Sequence, residues 1–225
     1  MSVGTSTRPA PDLTCYLVTD EALCASVGRS VLDTVKAAVE GGVTCVQLRA
    51  KDANGGPFLE DVLEVAEAVG HQVPIIVNDR VDVFLAARAL GAKVAGVHVG
   101  QADLPASVVR RLIGDDAYLG LSVGTAEEAR IAAEEGSADH VGLSVLRSTS
   151  TKTDTPDVLG YEGCAELADL VNMPSCAIGG VTVADTGALV QAGVDGSAIV
   201  SAICCAPDPG AACAEVVAAW KEARQ

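Results

Sequence analysis

The chain has 225 residues, of which 49% are apolar and only 3% aromatic, so a sizeable core must be built from Val, Ala, Leu and Ile rather than from rings. Lys and Arg number 15 against 30 Asp and Glu, a net charge of −15. That balance speaks against nucleic acid or an anionic membrane as partner, but not against small anions held by a local cluster of cations.

The first residues, "MSVGTSTRPAPD", lack the apolar stretch of a secretory signal and read as a short disordered arm over residues 1–12. From residue 13 to 225 one pattern repeats. Short, mostly β-branched runs are expected as strands at 13–18, 44–49, 74–78, 96–99, 118–122, 140–144, 174–179 and 196–201. Between them lie Ala-rich stretches of helical period, such as "SVLDTVKAAVEGG", "FLEDVLEVAEAVG", "VDVFLAARALGA", "TAEEARIAAEEGSA" and "VADTGALVQAGVDG", several ending in the Gly that a left-handed C-cap requires. Continuous apolar strands alternating with helices mean a parallel sheet covered on both faces. An open doubly wound sheet also fits alternation. Eight evenly spaced strands with about eight helices favour an α/β fold of a single domain, a (β/α)8 TIM barrel. The eight cysteines form no C-x-x-C pair and fall inside apolar runs, so they are expected as reduced packing residues of a cytoplasmic protein. No apolar run approaches the roughly 18 residues of a membrane span.

In such barrels chemistry gathers at the C-terminal ends of the strands. After the second strand come Gln47, Arg49 and Lys51, which at i, i+2, i+4 share one face of an extended chain. An amide and two cations on one side suit a polar ring carrying a polyphosphate, although a solvated strand end would look the same. The third strand runs without a spacer into Asn78, Asp79 and Arg80, and Asp103 follows the fourth. Two carboxylates from neighbouring strand ends make a reasonable Mg²⁺ site, while each could instead cap the helix after it. His98 sits within the fourth strand and reads as a hydrogen-bonded core residue. Ser122 ends the fifth strand as a hydroxyl at the mouth, with no His–Asp pair expected near it to make it a nucleophile. The polar loop "RSTSTKTDT" offers Thr149, Thr151 and Lys152 to an anion. The seventh strand ends in Gly179 and Gly180 and the eighth in Val200 and Ser201, positions from which backbone N–H groups bind phosphate in many barrels. The inventory is one cation-rich anion site, one neutral anion site and a metal site. It points to a transferase joining a diphosphate-activated group to a phosphorylated acceptor.

The stretches "VQLRAKD", "VNDRVDVFLAARALGAKVAGVHVGQADLP", "TSTKTD" and "AIGGV…AGVDGSAIVSAI" closely resemble the thiamine-phosphate synthase family, over essentially the whole chain from Tyr16 to Pro209. The resemblance implies a (β/α)8 barrel that couples hydroxymethylpyrimidine diphosphate to hydroxyethylthiazole phosphate with Mg²⁺, releasing pyrophosphate and thiamine phosphate. It implies Gln47 on the pyrimidine ring, and Arg49, Lys51, Asn78, Ser122 and Lys152 on the diphosphate. Arg49, Lys51, Ser122 and Lys152 would then be the catalytic set. Asp79 and Asp103 would hold Mg²⁺, and Thr149, Thr151, Gly180, Val200 and Ser201 the thiazole phosphate. The implied mechanism is dissociative, with no protein nucleophile.

The chain departs from the family pattern at Ser144-Val145-Leu146-Arg147-Ser148, where the family reads Gly-Pro-Ile-Phe/Tyr-Pro; this adds a cation near the site. Gly124 stands where members often carry His, and "CCAPDP" is unusually rich in Cys. Two alternatives are a thiazole tautomerase-like relative, which needs no diphosphate grip, and a non-catalytic barrel that only binds a phosphorylated ligand. Partners are expected to be small molecules, with no nucleic acid and no membrane, and with a homo-oligomer left open.

Overall fold

The computed structural model describes residues 9–148 and 158–225. Eight strands, β1 (Cys15–Val18), β2 (Cys45–Leu48), β3 (Ile75–Asn78), β4 (Gly96–Val99), β5 (Tyr118–Val123), β6 (His140–Ser144), β7 (Ser175–Ile178) and β8 (Gly196–Ile199), close into a parallel barrel in chain order. Strand β1 pairs with both β2 and β8, so no sheet edge is left among them. Around the barrel lie α1 (Glu21–Ser26), α2 (Val31–Glu40), α3 (Gly55–Val69), α4 (Val81–Ala89), α5 (Ala106–Ile113), α6 (Ala126–Glu135), α7 (Gly160–Leu170), α8 (Thr186–Gln191), α9 (Ser201–Cys204) and α10 (Pro209–Ala223). A single 3₁₀ turn, Val183–Asp185, leads into α8. The expected (β/α)8 barrel is the observed fold. Among the described residues no helix is long and apolar enough to cross a membrane.

Helix starts follow the sequence's polar punctuation. The side chains of Asp20, Ser30, Thr125 and Asp208 accept from the N–H groups of Leu23, Asp33, Glu128 and Ala211 at 3.1, 3.0, 3.2 and 3.0 Å, satisfying donors that the first helical turn cannot pair internally.

The strands separate two apolar layers. The larger lies between barrel and helices and includes Leu17, Val46, Ile75, Val77, Val97, Leu119 and Leu143. The smaller fills the barrel itself with Tyr16, Val18, Cys45, Ile76, Cys176 and Ala198. The alternation i, i+2 along each strand decides which layer a side chain joins. The scarcity of rings in the chain is offset by Trp220 on α10, which is fully buried and donates from Nε1 to Ser197 Oγ at 3.0 Å. All eight cysteines carry free thiols, and all but Cys205 are buried, in keeping with packing.

Candidate active site

A cavity of about 470 Å³ opens at the C-terminal ends of the strands. The residues that line it from β2 are Gln47, Arg49 and Lys51, from β3 Asn78 and Asp79, from the β4–α5 segment Asp103, from β5 Ser122, and from the β7 and β8 ends Gly180, Val200 and Ser201. Every expected site residue that lies within the described residues therefore meets at one mouth. Thr149, Thr151 and Lys152 lie outside the described residues.

The strand geometry explains the convergence. Register pairs Val18 with Gln47 and Asn78 with His98, so inward positions on adjacent strands stand at matching depth. Gln47 is almost fully buried, and its Nε2 donates to Tyr16 Oη at 2.7 Å. That leaves the amide oxygen for a ligand. Burial pushes the Tyr16 phenol well above its ordinary range, so it stays protonated. One layer up, the Arg49 N–H donates to Thr19 Oγ1 at 3.0 Å, and its guanidinium lies 3.4 Å from the Asp20 carboxylate. Asp20 thus serves as both the α1 cap and the restraint on Arg49.

The chain leaves β3 through an unusual turn. Asp79 has φ +59°, in a region that few residues other than Gly adopt, and its N–H donates to His98 O at 2.8 Å. This twist separates the three polar residues after Val77. Asn78 and Asp79 face the cavity, whereas Arg80 turns outward, pairing with Asp82 at 2.6 and 2.9 Å. The cap at the start of α4 falls on Arg80, with no side-chain cap bond, and that of α5 on Pro105. Neither Asp79 nor Asp103 is a helix cap. Instead Asp103 Oδ2 accepts from the Gly100 N–H at 2.7 Å, which holds the carboxylate at the rim. Partial desolvation in the cavity wall, and then the like charge of Asp103, push Asp79 up to about 6.

Several lining residues are not assigned to the site by sequence, and one of them, His98, reads there as a core residue. Glu128 reaches back from α6 to accept from the Gly124 N–H at 2.7 Å, one residue before the Thr125 cap; the Thr125-x-x-Glu128 spacing marks the helix start but not this contact. His98 lines the cavity, and its Nε2 lies 3.0 Å from Ser122 Oγ. An imidazole does stand beside Ser122, where sequence alone does not place it, but this contact by itself is not the His–Asp pair that a nucleophile needs. His98 stands opposite Gly120 in the β4–β5 register, and Ser122 is the next inward position above Gly120, a proximity that only the register reveals.

Opposite these charges the wall is neutral backbone. Gly180 has φ +67°. Among the described residues, the N–H groups of Gly180, Val181 and Ser201 have no acceptor.

Between the two sides the described wall carries two cations, Arg49 and Lys51, against three carboxylates, Asp79, Asp103 and Glu128. A diphosphate entering this wall needs further positive charge. Asp79 and Asp103 crowd each other enough to raise one pKa, and no group of three or more His, Cys, Asp or Glu that could hold a metal occurs among the described residues. Two carboxylates, with the remaining positions left to phosphate oxygens and water, fit Mg²⁺ rather than a metal caged by protein alone.

A family model described as thiamine monophosphate synthase matches residues 15–203. A thiamine-phosphate synthase of Albidiferax ferrireducens is 44% identical over 198 residues, covering 88% of this chain and 87% of that protein. Another, of Corynebacterium efficiens, is 39% identical over 219 residues, covering 97% of this chain and 100% of that protein. The solved structure of a thiamine phosphate pyrophosphorylase from Pyrococcus furiosus superposes with a TM-score of 0.81 at 30% identity, covering 96% of this chain and 98% of that one.

Proposed function

The chain belongs to the thiamine monophosphate synthase family, and from that premise we propose how its cavity carries out the synthase reaction. A pyrimidinylmethyl group is transferred from its diphosphate to the ring nitrogen of hydroxyethylthiazole phosphate, giving thiamine phosphate and pyrophosphate. The C–O bond to the diphosphate breaks with its electron pair leaving on pyrophosphate. The thiazole nitrogen's lone pair then forms the new C–N bond.

Each wall has a part. Gln47, oriented by Tyr16, accepts at the pyrimidine's exocyclic amine through Oε1. Arg49, restrained by Asp20, and Lys51 stabilise charge that grows on the departing diphosphate. Asn78 contributes an amide to the same oxygens. Ser122, held by His98, donates its hydroxyl there. Asp79 and Asp103 would hold Mg²⁺, which supplies charge neutralisation on the leaving pyrophosphate. Opposite them, Gly180, Val200 and Ser201 receive the acceptor phosphate on N–H groups and a hydroxyl. Fixing that phosphate places the thiazole nitrogen near the reacting carbon and turns a bimolecular step into an intramolecular one. Thr149, Thr151 and Lys152, offered to an anion by the polar loop they sit on, are divided by the family resemblance, the threonines to the acceptor phosphate and Lys152 to the diphosphate.

The observation that carries this reading is the convergence of Gln47, Arg49, Lys51, Asn78, Asp79 and Asp103 on one cavity that faces Gly180 and Ser201. A tautomerase-like or purely binding barrel has no use for the cation pair and the paired carboxylates together. The test is pyrophosphate release by the purified chain with both substrates and MgCl₂. Thiamine phosphate and pyrophosphate should appear in equal amounts. Pyrophosphate release that ignores the thiazole phosphate, or isomerisation of a thiazole without the pyrimidine substrate, would refute the assignment.

A further inference from the structure

Arg147 stands just behind the cavity wall, on the stretch after β6, and has no part in the chemistry above. The backbone there extends the β6–β7 ladder past its formal end. The Leu146 N–H donates to Ile178 O at 2.8 Å and the Arg147 N–H to Gly179 O at 3.2 Å. The side chain then folds over the turn after β7. Its Nη1 donates to Gly180 O at 2.6 Å and to Asp185 Oδ2 at 2.8 Å, while Nη2 donates to Asp185 Oδ1 at 2.6 Å.

Asp185 is the hub. It is 3% exposed, and besides Arg147 it accepts from the Thr182 N–H at 2.7 Å, Thr182 Oγ1 at 3.0 Å and Tyr161 Oη at 2.5 Å. One buried carboxylate therefore ties together the segment after β6, the turn after β7 and the start of α7. The Arg147 guanidinium beside it holds that carboxyl well below the usual range. Since Asp185 already meets the charge of Arg147 in a bidentate pair, the guanidinium is poorly suited to be a phosphate ligand itself.

The peptide geometry gives it another task. The carbonyl of Gly180 and the N–H of Val181 belong to one trans peptide and point in opposite directions. Arg147 is not part of the cavity lining, whereas Gly180 and Val181 are. Holding the Gly180 carbonyl outward toward Arg147 turns the Val181 N–H inward, where it has no acceptor among the described residues. We propose that Arg147 is a positioning residue for the acceptor phosphate: by clamping the Gly180 carbonyl, with Asp185 as its anchor, it aims the Val181 N–H at that phosphate. This rests on the synthase reading of the cavity.

The test is steady-state kinetics on the full chain with Mg²⁺, using the phosphorylated thiazole and its unphosphorylated alcohol as acceptors. Arg147→Lys keeps a cation for Asp185 but cannot fork to the carboxylate and the carbonyl together. Arg147→Met combined with Asp185→Leu removes both charges at once and leaves no buried ion unpaired. In both, the KM for the thiazole phosphate rises roughly tenfold, as expected for one lost N–H contact to a charged group. The KM for the pyrimidine diphosphate and the rate with the alcohol stay within about twofold, because neither uses that N–H. Tyr161→Phe removes the phenol's contacts with Arg147 and Asp185 but spares the bonds from Arg147 to the Gly180 carbonyl and the Asp185 carboxylate, and it keeps the wild-type acceptor KM. An unchanged acceptor KM in either clamp variant overturns the proposal, as does an equal loss with the alcohol, which would mean general loosening. Wild-type protein that releases no pyrophosphate with both substrates defeats the synthase reading instead.

Discussion

His140 offers a quantitative test of how the barrel interior is built. It lies on β6 with no exposed surface, and neither ring nitrogen has a hydrogen-bond partner among the described residues. Its neighbours are the Tyr16 ring, edge-on with centroids 5.9 Å apart, and the His98 ring at 5.7 Å. Burial pushes the imidazole down to about 4, against about 6.5 in an unfolded chain. Between these values the unfolded state binds the proton and the folded state does not. The stability contributed by neutral His140 is therefore present above about pH 6.5 and is lost as pH falls toward 4. From pH 7 to pH 5 that linkage amounts to about 2 kcal/mol. With a urea slope of about 2–3 kcal/mol/M, the wild-type midpoint should drop by roughly 0.6–0.9 M more than that of His140→Phe, whose ring cannot titrate. Other acid-sensitive groups are common to both proteins and cancel in the difference. Parallel pH dependence of the two proteins, or an imidazole that titrates near 6.5 by NMR, would refute the account of this side chain.

Asp79→Asn and Asp103→Asn should each lower turnover by about 100-fold or more with the fold intact, since each takes a carboxylate from the metal site; near-normal rates would remove these residues from that role. Gly180→Ala forces a side chain at φ +67°, with its Cβ only 2.6 Å from Arg147 Cγ. It should raise the thiazole phosphate KM by about tenfold while leaving the pyrimidine KM within about twofold, and a change confined to the pyrimidine would contradict the placement. Trp220→Ala should cost about 3–5 kcal/mol in urea unfolding, because the ring is fully buried and its Nε1 leaves Ser197 Oγ without its partner; a loss under about 1 kcal/mol would show that α10 is not needed to close the barrel.

The barrel was legible because a parallel sheet buried on both faces must be written as short β-branched runs, and the helices between them must repeat with a 3.6-residue period. The expected strand at 96–99 coincides with β4, and those at 13–18 and 196–201 are trimmed to Cys15–Val18 and Gly196–Ile199. Helix α1 at Glu21–Ser26 is too short to show a period, and its cap, the Asp20 side chain accepting from the Leu23 N–H, is seen only in the structure. The expected helix over 183–196 opens instead as a 3₁₀ turn at Val183–Asp185, where the Asp185 carboxylate bonds back to Thr182.

At the site, spacing along one strand was readable and contact between strands was not. Gln47, Arg49 and Lys51 share a face by simple alternation. Asn78, Asp79 and Arg80 look like one polar cluster in sequence, but the left-handed turn at Asp79 sends Arg80 out to Asp82. The His98–Ser122 pair depends on the register of β4 against β5. The bond from Arg147 to Asp185 spans 38 residues, a separation over which sequence gives no pairing rule. Arg147 could be read from sequence only as an extra cation near the mouth; its partner makes it part of the scaffold.

The central claim is that two anion grips of different chemistry face each other across one cavity, so that the carbon freed from pyrophosphate is captured by an acceptor already held beside it. A single-turnover experiment measures this most directly, with the purified chain, the pyrimidine diphosphate and MgCl₂, before and after adding hydroxyethylthiazole phosphate. The account predicts thiamine phosphate and pyrophosphate rising together once the acceptor is present, and neither when Mg²⁺ is chelated. Full turnover under chelation, or product formation that is indifferent to the phosphate on the thiazole, would contradict it.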